Sequence, residues 1–167
     1  MSMKSGESAA SVFFELLGRS DFAEGLCWQQ LHFKQGDIIL REGSYSGKVF
    51  LLLQGEARIL GKVVLGEDLQ IRPGVRDLDS GSIFGELSLL DQAPHSATVS
   101  ALTDCVVAAM DNEALIAFLN DHREFGYKAY RELALELVSR LRKTDKQLFA
   151  MMAYGLKARG LDQHLKA

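Results

Sequence analysis

No apolar run in this 167-residue sequence reaches the ~18 residues that a membrane-spanning helix needs. Residues 1–10 are polar and lack the apolar core of a signal peptide. A cytoplasmic protein is the expectation. Cysteine is scarce: Cys27 and Cys105 lie far apart in apolar surroundings. That excludes a disulfide framework, a C-x-x-C site and an iron–sulfur centre, and both read as buried free thiols. The four histidines, His32, His95, His122 and His164, show no metal-ligand spacing. A metal-dependent β-barrel enzyme needs close His ligands, so neither a metal nor an enzymatic activity is expected. No nucleophile–base pair stands out. Charge of one sign is not in excess: 19 Lys and Arg against 22 Asp and Glu leave a net −3. That balance argues against a dedicated nucleic-acid surface. There is no internal repeat and no low-complexity run.

What is present suits a soluble domain, or one domain with an appendage: 47% hydrophobic and 25% charged residues. Residues 11–17 carry Phe13, Phe14, Leu16 and Leu17 at helical spacing, and residues 21–26 read as a second short helical turn with Ser20 as its cap. From Gln29 onward the period changes. Short apolar or alternating runs at 30–34, 38–41, 49–53, 56–60, 63–65 and 69–72 are separated by turns such as Gln35-Gly36-Asp37, Glu42-Gly43-Ser44, Gln54-Gly55 and Gly66-Glu67-Asp68. Short strands at such spacing predict an all-β sandwich or jelly roll. Runs at 97–101 and 105–110 complete the set.

The period then turns helical. Asp111 is a good cap for a helix carrying Leu115, Ile116, Phe118 and Leu119, and Asn120-Asp121-His122 breaks it. From Arg123 a helical pattern runs for some thirty residues. Tyr127, Tyr130, Ala134, Leu137, Leu141, Thr144, Leu148 and Met151 form a near-heptad seam, the pattern of a helix that buries one face against a partner helix. Gly155 and Gly160 are expected to end it.

The stretch 79–101 joins these parts. Its centre is Phe84-Gly85-Glu86-Leu87-Ser88, followed by Pro94-His95-Ser96-Ala97-Thr98. A short helical turn with free backbone N–H groups attracts an anion. Glu86 does not share that spot easily with a phosphate and is better placed to accept hydrogen bonds from hydroxyls. A donor to the anion is then expected from 94–97.

This spacing closely resembles the phosphate-binding cassette of cyclic-nucleotide-binding domains, Phe-Gly-Glu-Leu-Ala/Ser-Leu, a short spacer, then Pro-Arg-Ala/Ser-Ala. The resemblance covers roughly residues 14–148. It extends to Phe33-Lys34-Gln35-Gly36-Asp37-Ile38-Ile39, Arg41-Glu42-Gly43 and Val49-Phe50-Leu51-Leu52-Leu53-Gln54-Gly55-Glu56. It implies a mainly β fold with added α: a double-stranded β-helix, or jelly roll, with short N-terminal helices and a long C-terminal helix. The implied organisation is a disordered start at 1–10, the β-roll domain at 11–122, a dimerisation and signalling helix at 123–154 and a tail at 155–167. The implied ligand is a cyclic nucleotide, cAMP or cGMP. Gly85 would permit close approach and offer its N–H, Glu86 would accept from the ribose 2′-hydroxyl, and Leu87 and Ser88 would offer N–H groups near the phosphate. Ser96 stands where a hydroxyl often donates to phosphate. Thr144, within Ser139-Arg140-Leu141-Arg142-Lys143-Thr144-Asp145, resembles the residue that reads the purine edge in bacterial members.

One position departs from the pattern. Where the family places the phosphate-pairing Arg, this chain has His95. Arg is always charged and grips phosphate through two parallel bonds, whereas His offers one donor to a given oxygen and is largely neutral at pH 7. Losing a charge-assisted bond costs about 1.5–3 kcal/mol, or about ten- to a hundredfold in affinity. The expected function is therefore a regulatory sensor domain with weakened cyclic-nucleotide binding, homodimeric through its long helix. The alternative is a ligand-independent dimerisation or docking module with a degenerate site. The sequence as given leaves no length beyond the long helix for a helix-turn-helix, so DNA binding within it is not expected.

Overall fold

The alternating runs fold as ten strands among the described residues, and the late change of period as two consecutive helices. The computed structural model describes residues 11–65, 69–71 and 73–158. It divides into two units, Met1–Glu132 and Leu133–Ala167.

In the first unit, α1 (Ser11–Leu17) precedes β1 (Trp28–Phe33), β2 (Ile38–Leu40), β3 (Lys48–Gln54), β4 (Ala57–Leu60), β5 (Val63–Leu65), β6 (Leu69–Ile71), β7 (Gly74–Leu78) and β8 (Ile83–Phe84). Then come α2 (Leu87–Asp91), β9 (Thr98–Ala101), β10 (Cys105–Asp111), α3 (Asn112–Asp121) and the start of α4 (Arg123–Ala158). One four-stranded sheet has the order β1-β10-β3-β8, a second the order β2-β9-β4-β7, and β5 pairs with β6. Every pairing is antiparallel. This is the expected jelly roll. Inward residues of both sheets share one buried cluster, Phe50, Leu52, Phe84 and Val107 from the first and Leu40, Leu78 and Val99 from the second. Burying such side chains is the main driving force available to the roll.

Local chemistry accounts for the element ends. The Asp111 carboxylate accepts from the Ala114 N–H at 3.0 Å, capping α3 as expected. At the other end the His122 N–H reaches the Phe118 carbonyl at 3.0 Å, and α4 begins one residue later. Gly126 lets α4 start so close: a Cβ there would collide with the Leu119 carbonyl oxygen at the end of α3.

Three expectations are corrected. Residues 21–26 are turns, not a helix, because Gly25 adopts φ +84° and its N–H turns back to the Trp28 carbonyl at 2.8 Å. The short N-terminal helices are therefore one helix among the described residues. Strand β7 was not foreseen. Gly155 does not end the long helix, which continues to Ala158. Residues 1–10, the turn at 66–68, Arg72 and the tail from 159, with Gly160, lie outside the described residues. No helix among the described residues is long and apolar enough to cross a membrane.

Candidate functional site

The site is built where the loop between β2 and β3 meets the two arms of the 79–101 stretch. Phe84 closes the first arm in the core, stacked on Phe50 with ring centroids 5.3 Å apart and planes 10° from parallel. The next residue must turn sharply out of the sheet. Gly85 does so at φ +75°, a conformation that side chains resist. A Cβ there would also lie 3.1 Å from the Phe50 ring and 3.4 Å from the Lys48 carbonyl oxygen. Glycine is thus favoured by the turn, and the close approach of β3 leaves a side chain there tight.

Glu86 follows, 2% exposed. It stands at the N-cap of α2 but makes no side-chain capping bond, so helix capping does not explain a carboxylate there. In α2, Ser88 is buried and its hydroxyl donates to the Gly85 carbonyl at 2.8 Å, locking the turn, while Leu87 is exposed. Gln92 ends the helix in the left-handed conformation, φ 56°, with its N–H on the Ser88 carbonyl at 3.2 Å.

The second arm carries His95. It is 4% exposed, and burial pushes its pKa down from the ordinary imidazole value. The β2–β3 loop holds it at three points. The Gly43 N–H donates to the His95 carbonyl at 2.8 Å, the His95 N–H donates to the Ser44 carbonyl at 2.8 Å, and Ser46 Oγ lies 2.8 Å from His95 Nε2. The other ring nitrogen, Nδ1, is buried without a hydrogen-bond partner among the described residues. Buried polar atoms are nearly always satisfied, so the partner of this one is a water or a ligand atom rather than a described protein group. Ser96, the next residue, is exposed.

Gly85 and His95 are thereby brought to the same few residues. Gly85 abuts the Lys48 carbonyl, to which the Ser46 hydroxyl reaches at 3.5 Å, and Ser46 contacts His95. Ser46 itself escaped the sequence reading. Its only signal was its place in a Gly-bounded loop, Gly43 to Gly47, and nothing in its type announced a contact with a residue so distant in the chain. Among the described residues no group of His, Cys, Asp and Glu side chains could hold a metal ion.

The family model described as the cyclic nucleotide-binding domain matches residues 30–122. This chain belongs to the cyclic nucleotide-binding domain family. A CRP-like cAMP-activated global transcriptional regulator from Mycobacterium tuberculosis is 28% identical over 121 residues, covering 72% of this chain and 50% of that protein. A cAMP-dependent protein kinase regulatory subunit from Mucor circinelloides is 31% identical over 91 residues, 54% of this chain and 20% of the subunit. The chain therefore spans half the length or less of these relatives. Among solved structures, the catabolite activator protein of Thermus thermophilus superposes with a TM-score of 0.62 at 27% identity, over 75% of this chain and 55% of that one. These relatives are regulators and regulatory subunits by name.

Within the cyclic nucleotide-binding domain, Gly85, Glu86, Leu87, Ser88, His95 and Ser96 all fall inside the matched residues. Thr144 falls outside them and belongs to the second unit, where it is exposed on α4.

Proposed function

We propose that this chain is a regulatory domain that binds a cyclic nucleotide, weakly at neutral pH, at Gly85, Glu86, Leu87, Ser88, His95 and Ser96. The observation that carries the reading is the buried Nδ1 of His95, without a partner among the described residues, in the position where the family keeps a phosphate-pairing cation. A phosphodiester oxygen is the natural partner for a donor at that atom, and the buried Glu86 carboxylate is suited to accept from a ribose hydroxyl. Thr144 is the proposed contact to the base. The chain is proposed to act as a homodimer through α4, so that the ligand state of the roll is passed on through the helix.

Protonation sets the strength of the site. A bound phosphodiester favours the imidazolium, while burial in the free protein disfavours it. Affinity is therefore expected to rise as pH falls below neutrality and to level off only below the lowered free-protein pKa. Calorimetry with cAMP and with cGMP at about pH 7.5 and about pH 5.5, on wild type and His95→Arg, tests this. The Arg variant is expected to bind about ten- to a hundredfold more tightly at the higher pH and with a flatter pH dependence, because Arg keeps its charge. If neither protein binds either nucleotide at either pH, the reading fails. The ligand-independent dimerisation module, which the exposed apolar side chains of α4 favour, then takes its place.

A further inference from the structure

We infer that Ser46 is a positioning residue of this site: its hydroxyl selects the His95 tautomer that carries its proton on Nδ1, making the neutral ring a hydrogen-bond donor to an anionic ligand. The inference rests on reading the site as one for a cyclic phosphodiester.

Geometry decides where the hydroxyl hydrogen goes. Three polar atoms surround Ser46 Oγ: His95 Nε2 at 2.8 Å, the Lys48 N–H at 3.3 Å and the Lys48 carbonyl oxygen at 3.5 Å. The Lys48 N–H can only donate, so the hydroxyl accepts from it. Ser46 is exposed, so water is open to its single hydrogen, and the protein acceptors in reach are Nε2 and the Lys48 carbonyl. The Nε2 contact is short and the Lys48 carbonyl is at the outer limit, so of the two protein acceptors Nε2 is the better placed, and we assign the hydrogen to it. Nε2 is then the acceptor, and a neutral imidazole with an accepting Nε2 bears its proton on Nδ1. That N–H is the buried group without a partner among the described residues.

The backbone that carries the ring is held in place. The Gly43 N–H and the Ser44 carbonyl fix the backbone of His95 from the same loop that supplies Ser46. The titratable groups on the adjoining segments are Arg41, Glu42 and Tyr45 on the loop, Lys48 at the start of β3, and Glu86 and Asp91 at the two ends of α2. None of them is among the causes acting on the proton affinity of His95, which is governed by burial alone. With no charge to dictate the tautomer, the hydrogen bond dictates it. On acidification the same hydroxyl can turn its hydrogen to the Lys48 carbonyl and accept from Nε2–H, so the pair serves both protonation states without moving a heavy atom. Without the hydroxyl the neutral ring is free to place its proton on Nε2. The Nδ1 lone pair then faces the anion, and the hydrogen bond is lost.

The test uses the full chain as wild type, Ser46→Ala and Ser46→Thr. Nitrogen-15 NMR of the imidazole, without ligand at about pH 7.5, reads the tautomer. Wild type and the Thr variant are expected to show His95 with its proton on Nδ1, and the Ala variant a mixture or the Nε2–H form. Titration with cAMP and with cGMP is expected to give the Ala variant about tenfold or more weaker binding at that pH. The gap should narrow as pH falls and the imidazolium, which carries both protons whatever its neighbour, becomes populated in the complex. The Thr variant should follow wild type throughout. An unchanged tautomer in Ser46→Ala overturns the inference, as does an affinity gap that is the same at both pH values, which a merely structural role would give. A wild type that binds neither nucleotide sinks the functional reading instead, and the NMR comparison still decides whether Ser46 holds the ring.

Discussion

At the scale of single residues, the burial of His95 makes stability depend on pH. His95 is buried, and burial alone lowers its pKa from the usual value of about 6.5. The unfolded chain therefore takes up the proton first as pH falls. The contribution of neutral His95 to stability is complete above about pH 6.5 and is lost progressively as pH drops from there to the folded-state pKa. Over that window one site changes stability by at most about 1.4 kcal/mol per pH unit. Urea unfolding of wild type and His95→Gln at about pH 7.5 and about pH 5.5 checks the sign. Wild type is expected to lose more stability on acidification than the Gln variant, and the difference between the two isolates His95 from the other histidines. Equal losses would mean that His95 is not kept neutral by the fold. Gly85 shows the other kind of residue-scale constraint. Its positive φ would strain a side chain and the Phe50 ring would have to give slightly to a Cβ, so Gly85→Ala is expected to cost about 1–3 kcal/mol in the same experiment.

At the scale of elements, legibility in the sequence followed the strength of the apolar pattern. β3 and β10, at the centre of their sheet, are nearly continuous apolar runs and were plain, as was α3 with its Asp111 cap. β7 was missed because it offers the roll little: Val75 is exposed, only Leu78 is buried, and Arg76 and Asp77 read as loop. What holds β7 is its pairing with β4, including the Arg58–Asp77 ion pair across the strands, which no local window reveals. Residues 21–26 misled in the opposite sense. Phe22 and Leu26 are at helical spacing, yet Phe22 is buried and Leu26 is among the most exposed apolar residues. The cassette motif pointed to the candidate site, while the loop that meets it was invisible, because Ser46 meets His95 only through tertiary structure. Glycine in α4 makes this dependence on context measurable. In a helix interior Gly costs about 1 kcal/mol relative to Ala, too little for Gly155 to stop a 36-residue helix. A Cβ at Gly155 would meet nothing within 4 Å, so Gly155→Ala is expected to slow amide exchange at residues 151–158. The same change at Gly126 would drive a methyl into the Leu119 carbonyl and is expected to destabilise the first unit by about 1–3 kcal/mol. A Gly126→Ala variant as stable as wild type would show that the α3–α4 turn has room to relax.

At the scale of the whole molecule, the question is what covers the second unit. Along α4, Leu141 is 62%, Leu148 52% and Met151 71% exposed, and these belong to the seam read from the sequence. From residue 148 onward the apolar face broadens, with Phe149, Met152 and Leu156 also exposed. A helix that leaves this much apolar surface to water is poorly stabilised by its own propensity and gains most from packing. The near-heptad spacing suits a second copy of the same helix, and a twofold dimer pairs each seam with its equal. Leu141 is the position to test because it belongs to the seam and is exposed in the single chain. Each buried Leu contributes about 1.5–3 kcal/mol, and a dimer contains two. Leu141→Glu is therefore expected to weaken association by about 3 kcal/mol or more, at least about a hundredfold, and further through facing carboxylates. Sedimentation equilibrium should show a wild-type dimer and a monomeric variant whose first unit remains folded by circular dichroism. If the variant stays dimeric, the seam is not the interface.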